Sequence, residues 1–197
     1  MNSVLNYGIY MILCMLLCFP IYLLFRVMFI KWRHIKINKH RERILLLFSL
    51  YLMGLAFLTV FPIIRFTSSG IEIFYNGIND MNLIPFRILY DTYIEVTRNH
   101  NFTYFLVSFL GNIVIFIPIG IFIKLLWPKL SNSKIILYGF CISLFIEICQ
   151  IPLPRTTDID DLLCNTFGVY LGVLCYRIWK RYVDMKEGKN EIGNKDN

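Results

Sequence analysis

The 197-residue sequence is 57% hydrophobic and only 17% charged, and its mean hydropathy is +0.59. This composition is too apolar for a soluble domain of that length and indicates a polytopic membrane protein. The net charge of +7 is concentrated in the loops between the apolar segments, where it can attract anionic lipid headgroups, so it gives no reason to expect a nucleic-acid partner.

Five hydrophobic segments come close to or exceed the length of about 20 residues that a helix needs to cross a bilayer. They cover residues 4–30, 44–64, 102–126, 135–151 and 162–179. The first segment is too long for a signal-peptide core and lacks a basic region before it, so we expect a retained anchor. The predicted fold class is therefore all-α: a polytopic bundle of five transmembrane helices. We divide it into an anchor helix with a basic loop (1–43), a four-helix membrane domain (44–180) and a polar tail (181–197).

Basic residues mark every second connection and so predict the orientation of the chain. Lysine and arginine are frequent in residues 31–43, 124–134 and 177–195. Because short basic loops stay in the cytoplasm, we expect the N-terminus outside and the C-terminus inside. Trp32, Trp127 and Trp179 all lie at the predicted inner ends of spans, where indole rings prefer to be.

The external segment 65–101 contains a short helical pattern at residues 85–97. Its apolar side chains recur at helical spacing: Phe86, Leu89, Tyr90, Tyr93 and Val96. A short amphipathic helix in the outer membrane interface fits this pattern. It either covers the polar residues of the spans or serves only as a connector. Arg87, on the same segment, is a candidate binding residue.

The fourth segment carries Glu147, an ionisable residue inside an otherwise apolar span. Such a residue costs about 2.5 to 3.5 kcal/mol at mid-bilayer and usually faces a protein interior or a water-filled cavity. Spacings of four, four and three place Gly139, Ser143, Glu147 and Gln150 along one helical face. Glu147 is therefore the main candidate for a functional group.

Two other segments repeat this stripe of small and polar residues. The fifth carries Asp161, Asn165, Gly168 and Gly172 on one face, and the third carries Ser108 and Asn112. We expect the three stripes to face one another, because small residues allow close approach and polar groups find partners across the interface. Packing alone, with Gly168 and Gly172 as a GxxxG contact, is the alternative for the glycines. Pro118 predicts a kink in the third span.

The connection between the fourth and fifth segments contains the remaining charged candidates. Pro152 and Pro154 end the fourth helix and leave a tight external hairpin. This hairpin would bring Arg155 and the aspartates back over Glu147 and Gln150. Asp160 or Asp161 could cap the fifth helix, or the aspartates could bind Mg²⁺, with Asp158, Asp160 and Asp161 as ligands. No other cofactor is expected.

The six cysteines all lie in hydrophobic runs without CxxC spacing. They are expected to be buried apolar side chains, with neither a disulfide framework nor a zinc site. A bridge between Cys149 and Cys164 is the remaining alternative.

Three blocks of the sequence resemble those of VanZ-like membrane proteins. They are NLIPF (82–86), GNIVIFIPIG (111–120), and SLFIEICQ (143–150) followed by RTTDIDDLLCNTFGVYLG (155–172). The resemblance spans roughly residues 44–179. It implies a multi-pass protein of the bacterial cytoplasmic membrane, associated with resistance to glycopeptide antibiotics and to lipid-tailed teicoplanin in particular. The positions carried over by resemblance are Asn82, Pro85, Phe86, Asn112, Pro118, Gly120, Glu147, Gln150, Arg155, Asp158, Asp160, Asp161, Asn165 and Gly168.

Three hypotheses follow from these residues. In the first, an extracytoplasmic polar site binds a lipid headgroup, a cation or a partner, such as a lipid-linked envelope precursor or the lipoglycopeptide itself. The binding residues would be Asn82, Arg87, Asn112, Gln150, Arg155, Asp158, Asp160, Asp161 and Asn165, on a scaffold set by Pro85, Phe86, Pro118, Gly120, Gly168 and Gly172. In the second, an intramembrane enzyme modifies a lipid-linked intermediate, with Glu147 as catalytic general acid or base. The third is transport through Glu147.

Overall fold

The computed structural model describes residues 2–34, 36–60, 64–67, 70–73, 81–153 and 157–193. The described chain is mostly helical, with a few very short strands. The long helices are α1 (Asn2–Arg33), α2 (Lys39–Val60), α5 (Gly111–Leu126), α6 (Asn132–Gln150) and α7 (Ile159–Gly193). The shorter elements are β1 (Ile64–Thr67), β2 (Gly70–Ile73), β3 (Met81–Asn82), α3 (Arg87–Thr97), α4 (Phe102–Tyr104), a π-helical turn (Phe105–Leu110) and β4 (Thr157–Asp158).

Within the described ranges, five helical stretches are long and apolar enough to cross a membrane, which confirms the predicted class of a multi-pass helical protein. They are Ile12–Arg33, Lys39–Val60, Phe102–Leu126, Asn132–Gln150 and Ile159–Glu187. The short helix predicted at residues 85–97 is also present, as α3.

Two helices extend beyond the apolar segments from which they were predicted. α2 begins at Lys39 because the side-chain oxygen of Asn38 accepts hydrogen bonds from the main-chain N–H groups of His40 and Arg41, at 3.1 and 3.2 Å. The last helix continues to Gly193, well beyond Trp179, where its apolar stretch ends. Its polar part carries an ion pair between Lys180 and Asp184 at 3.0 Å, at the spacing that stabilises helices.

The chain divides into two compact units. The first unit comprises Met1–Pro85 and Ile142–Leu162, and the second comprises Phe86–Cys141 and Leu163–Asn197. In the first unit α1 packs along α2, and Arg26 forms a bidentate pair with Glu42 through two hydrogen bonds of 2.7 Å. β1 pairs antiparallel with β2, and β3 pairs parallel with β4 so that Asn82 is opposite Asp158.

In the second unit, glycines bring the backbones of α5 and α7 into direct contact. A Cβ at Gly168 would collide with the carbonyl oxygen of Ile113, and one at Gly172 with that of Ile117. A Cβ at Gly120 would collide with the carbonyl oxygen of Val169. This is the packing that the GxxxG pattern predicts, with Gly120 completing it from the other helix.

The third span departs from α-helical geometry one turn before α5. Residues Phe105–Leu110 form a π-helical turn, and the side-chain amide of Asn112 donates a hydrogen bond to the carbonyl oxygen of Ser108 at 3.1 Å. Single π-helical turns of this kind are rare and occur mostly inside longer α-helices. α5 itself continues through Pro118.

Candidate functional site

The predicted polar face of α6 is buried, and its neighbouring positions are exposed and apolar. Ser143, Glu147 and Gln150 are 0%, 5% and 7% exposed, whereas Phe145 and Ile148 are 65% and 55% exposed. In a membrane helix this division separates a lipid-facing side from a protein-facing side. Glu147 thus lies on the protein-facing side, as its spacing predicts.

The carboxylate of Glu147 is held by the main chain of the following connection. Its Oε2 accepts a hydrogen bond from the N–H of Asp158 at 3.2 Å. α6 ends at Gln150, whose carbonyl oxygen accepts from the N–H of Leu153 at 2.8 Å and so closes a turn. The chain that follows the end of α6 therefore comes back to Glu147 at Asp158.

The carboxylate of Asp158 accepts three hydrogen bonds. Both of its carboxylate oxygens accept hydrogen bonds from Nδ2 of Asn82, at 3.0 and 3.1 Å. Its Oδ1 also accepts from the N–H of Asp160 at 2.8 Å, which makes Asp158 the N-cap of α7. The prediction that Asp160 or Asp161 is the cap is therefore corrected. An acid at the cap and another three residues on, Asp158 and Asp161, resembles a capping box and could have indicated this.

Asn82 and Gln150 connect this arrangement to further main-chain groups. The Oδ1 of Asn82 accepts from the N–H of Ile84 at 3.2 Å, so both ends of its amide are used. The Nε2 of Gln150 donates to the carbonyl oxygen of Thr59, in the last turn of α2, at 3.1 Å. The sequence did not predict a role for Thr59. The contact uses its main-chain carbonyl, which every residue has, so the pattern of side chains cannot identify it.

We define the Glu147 cluster as Asn82, Glu147, Gln150, Asp158 and Asp160. All of its members belong to the first unit. Four of the five are buried, and Asp158 is partly exposed. Four separate stretches of chain supply or hold these side chains: the end of α2, β3, the end of α6, and β4 with the start of α7. The sequence predicts all five side chains as site residues.

The other predicted site residues have different positions. Arg155 lies outside the described residues. Asp161 is partly buried in the first turn of α7. In the second unit, Asn165 is buried on α7. The side-chain amide of Asn112 donates to the carbonyl oxygen of Ser108, one turn earlier in the same span. Arg87 pairs with Asp91 at 3.4 Å on the exposed side of α3.

Phe86, predicted as a structural residue, is in a strained conformation. Its φ of 64° and ψ of 12° place it in the left-handed region, directly before α3. Non-glycine residues seldom adopt this conformation, which costs on the order of 1 to 3 kcal/mol and persists only where surrounding contacts impose it. The left-handed Phe86 therefore marks the start of α3.

The described residues contain neither a disulfide nor a cluster of potential metal ligands. All six cysteines are free, so the alternative of a bridge between Cys149 and Cys164 is wrong. Within the described ranges, no group of three or more histidine, cysteine, aspartate or glutamate side chains converges as a metal site would require. Asp158, a candidate ligand, instead directs its oxygens to Asn82 and Asp160.

Comparisons with known proteins agree with the resemblance of the three sequence blocks. A family model described as VanZ/LLP1 matches residues 48–180. A curated relative, "Protein VanZ" from Enterococcus faecium, is 26% identical over 142 residues, which cover 72% of this chain and 78% of the relative. No solved structure matches the chain.

Proposed function

The chain belongs to the VanZ/LLP1 family, and on that premise we propose that its Glu147 cluster binds the polar headgroup of a lipid or of a lipid-linked envelope precursor. The protein acts in the bacterial cytoplasmic membrane, and the cluster lies on its extracytoplasmic side. Occupation of the cluster changes how lipid-tailed glycopeptides such as teicoplanin reach the membrane surface. The function is thus binding, with resistance as its consequence.

Glu147 is a largely buried acid that accepts a single hydrogen bond from the described residues, and this supports the proposal most directly. Glu147 is 5% exposed, and its Oε2 accepts from the N–H of Asp158. Among the described residues, no donor is bound to its Oε1. Oε1 is not among the fully buried side-chain oxygens that lack a partner, so it is accessible from outside the protein. A ligand with an ammonium, amide or hydroxyl group would supply the missing donor.

The rest of the cluster supports a binding role because it holds the acid in place. Asn82 and the cap of α7 fix Asp158, and the main chain of Asp158 fixes Glu147. Gln150 fixes the end of α6 through Thr59. A site whose groups are already oriented spends less of its binding free energy on ordering them when the ligand arrives.

The direction of each helix supports an extracytoplasmic position. α6 has Lys134 near its start and Glu147 near its end, and α7 begins at the acidic residues and carries Arg177, Lys180 and Arg181 toward its other end. Basic residues favour the cytoplasmic side. Each helix therefore places its contribution to the cluster at the opposite end from its basic residues.

Teicoplanin susceptibility of bacteria that express the chain tests the proposal. Glu147→Ala removes the acceptor and should abolish any protection, whereas Glu147→Gln keeps an acceptor oxygen and should retain part of it. Ile148→Ala is the matched control, because Ile148 is the next residue on α6 and its side chain is exposed. Membrane levels of each variant are measured by immunoblot.

Three results would contradict the proposal. Full susceptibility of bacteria that express the unaltered chain at a verified membrane level would show that this chain does not confer resistance. Equal protection by the unaltered chain and Glu147→Ala would show that the Glu147 cluster has no role in protection. Loss with Glu147→Gln, while lipid binding by that variant persists, would favour proton transfer by Glu147 and hence the enzymatic alternative.

A further inference from the structure

An open polar cavity lies beside α3, within the second unit. Its volume is about 300 Å³, and it is lined by Tyr90, Asp91, Ile94, Glu95, Arg98 and Tyr104. Ligand sites commonly measure roughly 300 to 1,000 Å³. This cavity is at the lower end of that range and so suits a small headgroup rather than an extended molecule.

Charges of both signs line this cavity. Asp91 is paired with Arg87 at 3.4 Å. Glu95 accepts hydrogen bonds from the side-chain amides of Asn99 and Asn101, at 2.9 and 3.1 Å, and these neutral donors orient the carboxylate without cancelling its charge. Among the described residues, the guanidinium of Arg98 forms no ion pair. One cavity thus offers an oriented carboxylate and a cation that no described acid neutralises.

The position of the cavity on α3 indicates where its ligand comes from. Positions 90, 91, 94, 95 and 98 follow one face of the helix. The adjoining face presents Leu89, Tyr90 and Tyr93, which are 51%, 65% and 61% exposed. A short helix with exposed leucine and tyrosine on one side and charges on the other is typical of a helix that lies in the membrane interface. Tyr90 belongs to both faces, so a helix that lay in the interface in this way would open the cavity at the depth of lipid headgroups.

We propose that this cavity binds the headgroup of a zwitterionic phospholipid that carries a primary ammonium. Arg98 contacts the phosphate, as guanidinium groups readily do. The ammonium lies near Glu95 and Asp91, where the rings of Tyr90 and Tyr104 add cation–π attraction. This site shares no residue with the Glu147 cluster and does not depend on the function proposed for that cluster.

Native mass spectrometry of the full-length chain in detergent tests the proposal with two lipids. The chain is mixed with equimolar phosphatidylethanolamine, which has phosphate and ammonium, and phosphatidylglycerol, which has phosphate alone. We expect the unaltered chain to prefer phosphatidylethanolamine by about two- to fivefold, the effect of one partly exposed charge pair. No preference, or a preference for phosphatidylglycerol, would overturn the proposal.

Single substitutions separate the two halves of the headgroup. Arg98→Gln should weaken binding of both lipids by a similar factor, because both carry the phosphate. Glu95→Gln should weaken phosphatidylethanolamine alone, and Asp91→Asn repeats that test if Glu95→Gln does not fold. Lys134→Gln and Asp184→Asn remove exposed charges on α6 and α7 and should leave the preference unchanged.

Two further results would also overturn it. Equal losses with Arg98→Gln and Lys134→Gln would show a general effect of net charge. Displacement of the lipid by an equal concentration of soluble phosphoethanolamine would show that the acyl chains do not contribute, and would identify a soluble phosphate compound as the ligand instead.

Discussion

The Glu147 cluster and the glycine contact between α5 and α7 are two different solutions to the same physical problem. Helices in lipid gain little from hydrophobic burial against one another, so they associate through close packing and through hydrogen bonds. The cluster uses hydrogen bonds, from Asn82 to Asp158 and from Asp158 to Glu147. The glycine contact uses the absence of side chains at Gly120, Gly168 and Gly172. We therefore expect the glycine contact to tolerate no added atom and the cluster to tolerate substitutions that preserve an acceptor.

The largest effect should come from an added methyl group at the glycine contact. In Gly168→Ala the new Cβ meets the carbonyl oxygen of Ile113, a main-chain atom that cannot rotate away. We expect a loss of about 3 kcal/mol of stability, the upper end of the usual range for overpacking. The measurement is the apparent unfolding temperature in detergent, together with the membrane level of the variant.

The control for this substitution is Gly111→Ala at the start of α5. A Cβ at Gly111 has its closest contact at 3.4 Å, with the carbonyl oxygen of Leu106, which is ordinary van der Waals distance. This variant should be as stable as the unaltered chain. If both alanine variants behave alike, the close approach of α5 and α7 at Gly168 is wrong.

A medium effect should follow from Asp158→Ala in the cluster. The substitution removes the N-cap of α7, worth about 1 kcal/mol, and leaves the amide of Asn82 without its acceptor. We expect a loss of about 1 to 3 kcal/mol, measured as the change in unfolding temperature. Asp158→Asn keeps a capping oxygen and should lose less.

An exposed acid on the same helix provides the comparison for Asp158. Asp184→Ala removes an i,i+4 pair with Lys180 at the surface and should leave the unfolding temperature unchanged. An equal loss for Asp158→Asn and Asp158→Ala would show that the cap does not depend on the side-chain oxygen.

The smallest effect should arise at the pair that joins α1 to α2. Arg26 and Glu42 form two hydrogen bonds of 2.7 Å with about one fifth of each side chain exposed. A double-mutant cycle with Arg26→Gln and Glu42→Gln should give a coupling energy of about 1 kcal/mol. A coupling energy of zero would mean that apolar contacts alone join these helices.

Much of the fold follows from the sequence because hydropathy and helical periodicity are local properties. The segment 102–126 coincides with its span, and the spacing of Leu89 and Tyr93 predicts α3. The extension of α7 to Gly193 was missed, since it depends on pairs such as Lys180 and Asp184 rather than on apolar residues. The antiparallel pair of β1 and β2 was also missed. The sequence Ser-Ser-Gly, between two segments rich in isoleucine and phenylalanine, favours a turn between strands.

The membership of the Glu147 cluster could be predicted, but its connections could not. Buried polar residues such as Glu147 and Gln150 stand out in an apolar span because their burial is costly. The bond between Asn82 and Asp158 joins residues 76 positions apart, and no periodicity specifies such a partner. Gln150 binds a main-chain carbonyl, which any residue at position 59 would present in the same helix.

The lipid content of the full-length chain purified from bacterial membranes tests most directly whether the Glu147 cluster binds a lipid. Mass spectrometry would compare the unaltered chain with Glu147→Ala and Ile148→Ala at equal protein amounts. A lipid or lipid-linked species that co-purifies with the unaltered chain and with Ile148→Ala, and is lost from Glu147→Ala, is the predicted result. The same lipid profile from all three proteins would contradict a binding role for the Glu147 cluster.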